Sequence, residues 1–199
     1  MDKKIVIAMD GPAGSGKATI SKALAKKLDI LYLSTGSLYR ALAYKCILNG
    51  LDTTDEKVAE EIANNTKIDI IYKDGKQIVM LDGADITDKL ALDEVSSGAS
   101  KNSVIMDGRD IGSVVLPNAD FKFYLDASAE VRAKRRLVDL ADAGNKITYE
   151  EVLKEIEERE YRDKTREISP LVVAKDAIVV DSSNMTIDEV IAKFLEIIG

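Results

Sequence analysis

Three glycines, a lysine and two hydroxyls are packed into Gly11-Pro12-Ala13-Gly14-Ser15-Gly16-Lys17-Ala18-Thr19, inside the stretch AMDGPAGSGKATISKALAKK. A segment with so few side chains exposes its backbone N–H groups, and glycine lets them turn inward without a Cβ in the way. The spacing is G-x-x-x-x-G-K between an apolar run and a helical pattern. That order cradles phosphate oxygens: amides surround the anion, the positive end of a helix lies behind it, and the lysine reaches the outer phosphates. The residue after such a lysine is ordinarily Ser or Thr, which ligates Mg²⁺. Here it is Ala18, and the next hydroxyl is Thr19 on the same helical turn, so Thr19 is the expected metal ligand.

The other residues that can do chemistry are arginines and aspartates. Histidine is absent, which excludes every mechanism resting on an imidazole base or ligand, and the lone Cys46 excludes an intrachain disulfide. Arg40, Arg109, Arg159, Arg162 and Arg166 remain, with side chains whose planar forks grip phosphate oxygens in pairs. Asp107 closes an apolar run, where a carboxylate is placed to hold a magnesium-bound water. The net charge of -7 argues against a non-specific nucleic-acid or membrane partner, while leaving room for a local anion site. Transfer of a phosphoryl group between phosphates fits this inventory, because it needs positioning and charge neutralisation rather than an imidazole.

The elements that must position these residues are legible as alternating patterns. Short apolar runs fall at 4–9, 31–33, 104–107, 121–126 and 177–181, several of them ending in Asp. Runs of this kind read as parallel strands buried on both faces, with function at their carboxyl ends. Helical periodicity covers 17–28, 37–49, 55–64, 129–143, 148–164 and 186–198. The alternation predicts an α/β fold: a parallel five-stranded sheet of the P-loop NTPase type with flanking helices. Residues 66–87 break it with two short strands around Lys73-Asp74-Gly75-Lys76 and a turn at Asp82-Gly83, which predicts a small antiparallel insert. One domain is expected, with a core of 1–50, 88–128 and 167–199, the insert, and a charged helical pair over 129–166. The apolar run Ile5–Met9 is too short for a signal peptide, so a cytoplasmic protein is expected, and as a monomer.

Three further stretches narrow the class: LYLSTGSLYRALA (31–43), VIMDGRDIGSVVLPNADFKFYLDAS (104–128) and REYRDKTREISPL (159–171). With the glycine loop, and in this order, they resemble the bacterial cytidylate kinases, from the first strand to the last helix. The resemblance implies transfer of a phosphoryl group from ATP to CMP or dCMP, with Mg²⁺ as cofactor. It implies ATP contacts from residues 11–19 and Arg135, with Arg132, Lys134 and Arg136 as further lid candidates. Lys17, Arg109, Arg159 and Asp107 become the expected catalytic set. Thr35, Arg40 and Arg109 would meet the acceptor phosphate, with Asp110 orienting Arg109. Ser100, Asp163 and Arg166 would contact base and ribose, Asp163 accepting from the cytosine amine and Arg166 balancing its charge.

The chain also departs from that pattern. Ser34 stands where the family usually has Asp, Glu160 where it has Asp, and KLALDEVS (89–96) replaces a segment that normally carries Arg-Thr. After Ser100 the chain runs almost at once into VIMDGRD, where the family has about one more helix on the acceptor side. Two alternatives therefore stand beside the kinase: a related P-loop small-molecule kinase, and a nucleotide-binding module whose turnover is impaired by the missing helix.

Overall fold

The computed structural model describes residues 4–52, 55–73, 76–86, 103–142 and 144–199. The chain runs β1 (Val6–Asp10), α1 (Lys17–Leu28), β2 (Leu31–Ser34), α2 (Thr35–Leu48), α3 (Glu56–Asn64), β3 (Ile68–Lys73), β4 (Lys76–Leu81), β5 (Ala84–Asp85) and β6 (Val104–Asp107). A single π-helical turn (Ile111–Val115) follows, then β7 (Phe121–Asp126), α4 (Ala129–Asp142), α5 (Tyr149–Thr165), β8 (Ile178–Asp181) and α6 (Ile187–Ile198). Five strands form one parallel sheet in the order β2-β6-β1-β7-β8. β3, β4 and β5 form a separate antiparallel sheet.

The apolar runs become strands because both faces of the parallel sheet are covered. Along β1, Ile7 and Met9 join Ile105, Phe123, Leu125 and Val180 against Ile20 and Leu24 of α1 and Phe194 of α6. Ala8, between them, joins Leu33, Val104 and Met106 on the opposite face. Along β1 no position is left for a polar residue until Asp10 at the carboxyl end, so this run reads as continuous. Phe123 and Phe194 meet at 4.5 Å between ring centroids, and burying each side chain contributes about 1.5–3 kcal/mol. The helices carry their own start signals. Thr148 and Glu151 form a capping box at α5, and Thr186 and Glu189 another at α6, each serving two otherwise unpaired amides.

The insert is built as expected around β3 and β4, paired from Ile68↔Leu81 to Lys73↔Lys76, with a third short strand after the Asp82-Gly83 turn. Its buried side chains, Val79, Leu81 and Ile86, pack on Ala41 of α2, so the insert grips the helix that begins at Thr35. α4 and α5 pack through Ala133, Val152 and Ile156 as an antiparallel charged pair. α2 starts at Thr35, earlier than the periodicity predicts. Among the described residues no helix is long and apolar enough to cross a membrane.

Candidate active site

The carboxyl ends of β1, β2 and β6 meet at one edge of the sheet. Register places Ser34 beside Asp107 and Met9 beside Asp107, so the glycine loop leaves β1 next to the loop that leaves β6. Gly11 has φ +147°, and a Cβ there would stand 2.1 Å from the Leu125 carbonyl oxygen of β7, so the loop passes too close to the sheet for any side chain. Gly14 and Gly16 are left-handed, at φ +77° and +89°. The loop then delivers Lys17 as the first residue of α1.

Lys17 is buried, and its Nζ donates to the Pro12 carbonyl at 2.7 Å and to Ser15 Oγ at 3.3 Å. Burial drives its pKa well below the usual lysine value, and Arg109 and Arg159 push the same way, while Asp107 and Asp10 oppose them. Burial likewise pushes the carboxyls of Asp107 and Asp10 up, with Lys17 working against it in both. Lys17, Asp107 and Asp10 are therefore a desolvated group of mixed charges, and Arg109 and the exposed Arg159 of α5 act electrostatically on Lys17.

The acceptor side is organised by the loop after β6. Thr35 Oγ1 donates to the Asp107 carbonyl at 3.0 Å, which ties the start of α2 to that loop. A Cβ on Gly108 would stand 2.7 Å from Thr35 Oγ1, so only glycine fits at the junction. Arg109 Nε donates to Asp163 Oδ2 at 2.7 Å, and both side chains are largely covered. This corrects one expectation: the cation that balances Asp163 is Arg109, whereas Arg166 caps α5 and donates to the Ser169 carbonyl at 2.6 Å. It also gives Asp163 the orienting contact with Arg109 that was expected of Asp110. The Asp110 carbonyl instead accepts the amides of Val114 and Val115 in the π-helical turn.

On α4, Arg135 donates to the Ser182 carbonyl at 2.8 Å beyond the end of β8. Arg132 is buried to 2% exposure, with Nε on the Ala127 carbonyl at 2.8 Å, one terminal nitrogen on the Ala13 carbonyl at 3.1 Å and the other on Glu160. Those donors already serve protein oxygens, so Arg132 is a strut between the glycine loop and α5 rather than an ATP contact. Its burial leaves no trace in a run reading VRAKRR. Lys134 and Arg136 are exposed on α4. Arg40 lies on α2 with its side chain outside the described ones, and Ser100 lies outside the described residues.

Sequence reasoning passed over Asp10, the last residue of β1. Its Oδ1 accepts the Ile111 amide at 2.8 Å and its Oδ2 the Gly112 amide at 2.7 Å. The available signal was an Asp closing an apolar run directly before Gly11, in the same relation to its strand as Asp107.

Lysine and arginines gathered at strand ends around a glycine loop describe a phosphate site without naming the acceptor. A model of the cytidylate kinase family matches residues 7–104 and 97–199. The chain belongs to the cytidylate kinase family. It is 45% identical over 216 residues to a cytidylate kinase of Caldicellulosiruptor saccharolyticus, covering 98% of this chain and 96% of the relative. A cytidylate kinase of Clostridium botulinum is 40% identical over 211 residues, covering 98% and 97%. Among solved structures, an uncharacterized protein from Eubacterium ventriosum superposes with a TM-score of 0.52 at 16% identity over 98% of both chains. A gluconokinase from Sinorhizobium meliloti gives 0.50 at 14%, over 98% of this chain and 92% of its own. Those two likenesses concern the fold alone.

The comparisons also bear on the shortened stretch. The alignments run over 216 and 211 residues against a chain of 199, so these relatives carry a segment with no counterpart here. The family model matches in two pieces that overlap at 97–104, which puts the break beside Ser100.

Proposed function

We propose that Lys17 and Arg109, with Arg159 and Arg40, gather the phosphates of two nucleotides at the carboxyl ends of β1, β2 and β6. The protein is a nucleoside monophosphate kinase that uses ATP to phosphorylate CMP or dCMP. The donor phosphates lie in the loop of residues 11–19, against its non-proline amides and with Lys17 beneath them, and Arg135 and the lid lie above. The acceptor phosphate takes Arg109, Arg40 and Thr35, while Asp163, Arg166 and Ser100 hold base and ribose. What supports this division of labour is the cluster itself: the loop carrying Arg109 leaves β6 beside the glycine loop that carries Lys17, and Arg109 and Arg159 both disfavour the charged form of Lys17. Bringing two phosphates together there neutralises three mutually repelling cations, and the transition state gains most because charge spreads over the transferred oxygens.

The residues present fit Mg²⁺. Ser34 and Tyr32 act on the buried Asp107 carboxylate, and its Oδ1 keeps no hydrogen-bond partner, which leaves that oxygen for a metal-bound water. Thr19 stands exposed on the first turn of α1 as the nearest hydroxyl after Ala18. When bound with ATP, the ion would neutralise charge between the outer phosphates. A coupled assay of ADP release over CMP, dCMP, UMP and AMP tests the reading. Turnover of CMP and dCMP well above UMP and AMP supports it, and equal turnover of AMP refutes the acceptor assignment.

A further inference from the structure

We propose that Asp10 is a positioning residue for phosphoryl transfer, which fixes the loop carrying Arg109 against the loop carrying Lys17. This rests on the reading that Arg109 meets the acceptor phosphate. β1 makes the connection with two consecutive residues. The Met9 carbonyl accepts the Gly108 amide at 3.0 Å, on one side of Arg109 and Asp110. The Asp10 carboxylate accepts the Ile111 and Gly112 amides on the other side, at 2.8 and 2.7 Å. Arg109 is thus bracketed at both ends by the strand that runs directly into Gly11. The backbone of Asp10 is meanwhile paired with Tyr124 of β7, so the bracket is anchored in the middle of the sheet.

The chemistry of the clamp needs a carboxylate. The two amides open the π-helical turn and have no carbonyl within it to bond, and they are served from a strand about a hundred residues away in sequence. An asparagine in this place would offer its carbonyl to one amide and set its NH₂ group against the other. A serine would reach at most one. The site at Gly112 is shaped for the contact, since a Cβ there would stand 3.3 Å from Asp10 Oδ2 and 3.3 Å from Lys122 Cδ. Asp10 is 3% exposed, so the protein keeps a desolvated carboxylate where a loop needing only to close could use neutral groups. A rigid, oriented pair of short contacts is what registration of two phosphate-binding loops requires.

The test uses the full chain with Asp10→Asn and, separately, Gly112→Ala. ATP affinity is measured by calorimetry without CMP, kcat and KM for CMP by coupled assay, and amide exchange at Ile111 and Gly112 by NMR. In Asp10→Asn we expect faster exchange at both amides, ATP affinity within about 3-fold of wild type, and kcat lower by roughly 100-fold, the cost of misplacing a reacting group by about an ångström. Gly112→Ala is expected to lower kcat in the same direction with ATP affinity retained. The double variant should then be no worse than the poorer single one, because both act on one contact. Faster exchange at both amides with kcat within about 3-fold of wild type overturns the proposal, and so does a loss of ATP affinity in step with kcat. If Asp10→Asn does not fold, a wild-type kcat in Gly112→Ala overturns it. Wild-type protein inactive on CMP would overturn the underlying functional reading as well, so the two failures are distinguishable.

Discussion

Asp163→Asn is the sharpest perturbation of the acceptor site, because two of its effects have opposite signs. The carboxylate holds Arg109 at 2.7 Å with both side chains more than four-fifths covered, at 18% and 17% exposure. A charge-assisted hydrogen bond in such a place contributes about 1.5–3 kcal/mol. On the proposed function, the acceptor phosphate competes with that bond for the guanidinium. Replacing Asp163 by the amide weakens the competitor, so the affinity for inorganic phosphate should rise, by about 10-fold for each 1.4 kcal/mol of the pairing that is lost. The base effect runs the other way. A carboxylate accepts from the cytosine amine and repels the uracil oxygen, whereas an amide can turn either edge to the base. A base-edge contact discriminates by about 1–3 kcal/mol, so the CMP/UMP ratio of kcat/KM should fall by about 10-fold or more. Phosphate binding is measured by calorimetry and the ratio by the coupled assay. An unchanged ratio means that another residue reads the amine. Unchanged phosphate affinity means that Arg109 does not have to leave Asp163 when the acceptor arrives.

Thr19→Val should weaken the magnesium dependence of turnover more than Ser21→Ala, whose buried hydroxyl has no hydrogen-bond partner and makes a clean control; equal responses in a magnesium titration would remove Thr19 as the ligand. Glu160→Gln should destabilise the protein at pH 7 by about 1–3 kcal/mol, since Arg132 is left buried with a weaker partner. Burial works against the Glu160 carboxylate, but Lys164 and Arg132 hold its pKa below the ordinary glutamate value; the stabilisation is therefore complete above that value and lost as the pH falls through the lower folded value. Denaturant melts of wild type and variant should converge as the pH falls through the folded value, and a gap that does not narrow in acid would contradict the assignment. The segment absent beside Ser100 should leave ATP affinity near that of the relatives and weaken CMP binding by at least about 10-fold, the equivalent of one charge-assisted hydrogen bond; calorimetry with each nucleotide separately checks it, and CMP affinity equal to that of an intact relative would show that the segment is dispensable.

What could be read in the sequence was whatever leaves a local or periodic trace. The parallel strands were legible because burial on both faces forces unbroken apolar runs such as Ile5–Met9, and the glycine loop because its backbone angles exclude most residues. α5 and α6 were legible from their helical periodicity, and the structure adds a capping box at the start of each. The start of α2 was not, since Thr35 is drawn into the helix by its bond to the Asp107 carbonyl, a partner distant in sequence. Arg109 with Asp163, Arg132 with Ala13 and Asp10 with Ile111 and Gly112 are of the same kind: each joins groups far apart in the chain, and no spacing rule records them. Composition pointed in the wrong direction once. VRAKRR reads as a solvated face, and only the packing of α4 against the glycine loop removes Arg132 from it.

These long-range pairs have a common logic. Lys17, Asp10 and Asp107 each have the charged form disfavoured by burial, so the site is held together against its own desolvation. For the two carboxyls the raised values mean that stability falls as the pH rises from the ordinary aspartate range through their folded values, the reverse of Glu160. A fold selected for stability alone would replace them with neutral groups. Phosphate oxygens entering between Lys17, Arg109 and Arg159 favour the charged forms of the cations, and an incoming magnesium ion would favour that of Asp107. The strain is thus concentrated in groups whose charge the substrates complete, while Asp10, already satisfied by two amides, keeps the two loops in register as that completion occurs.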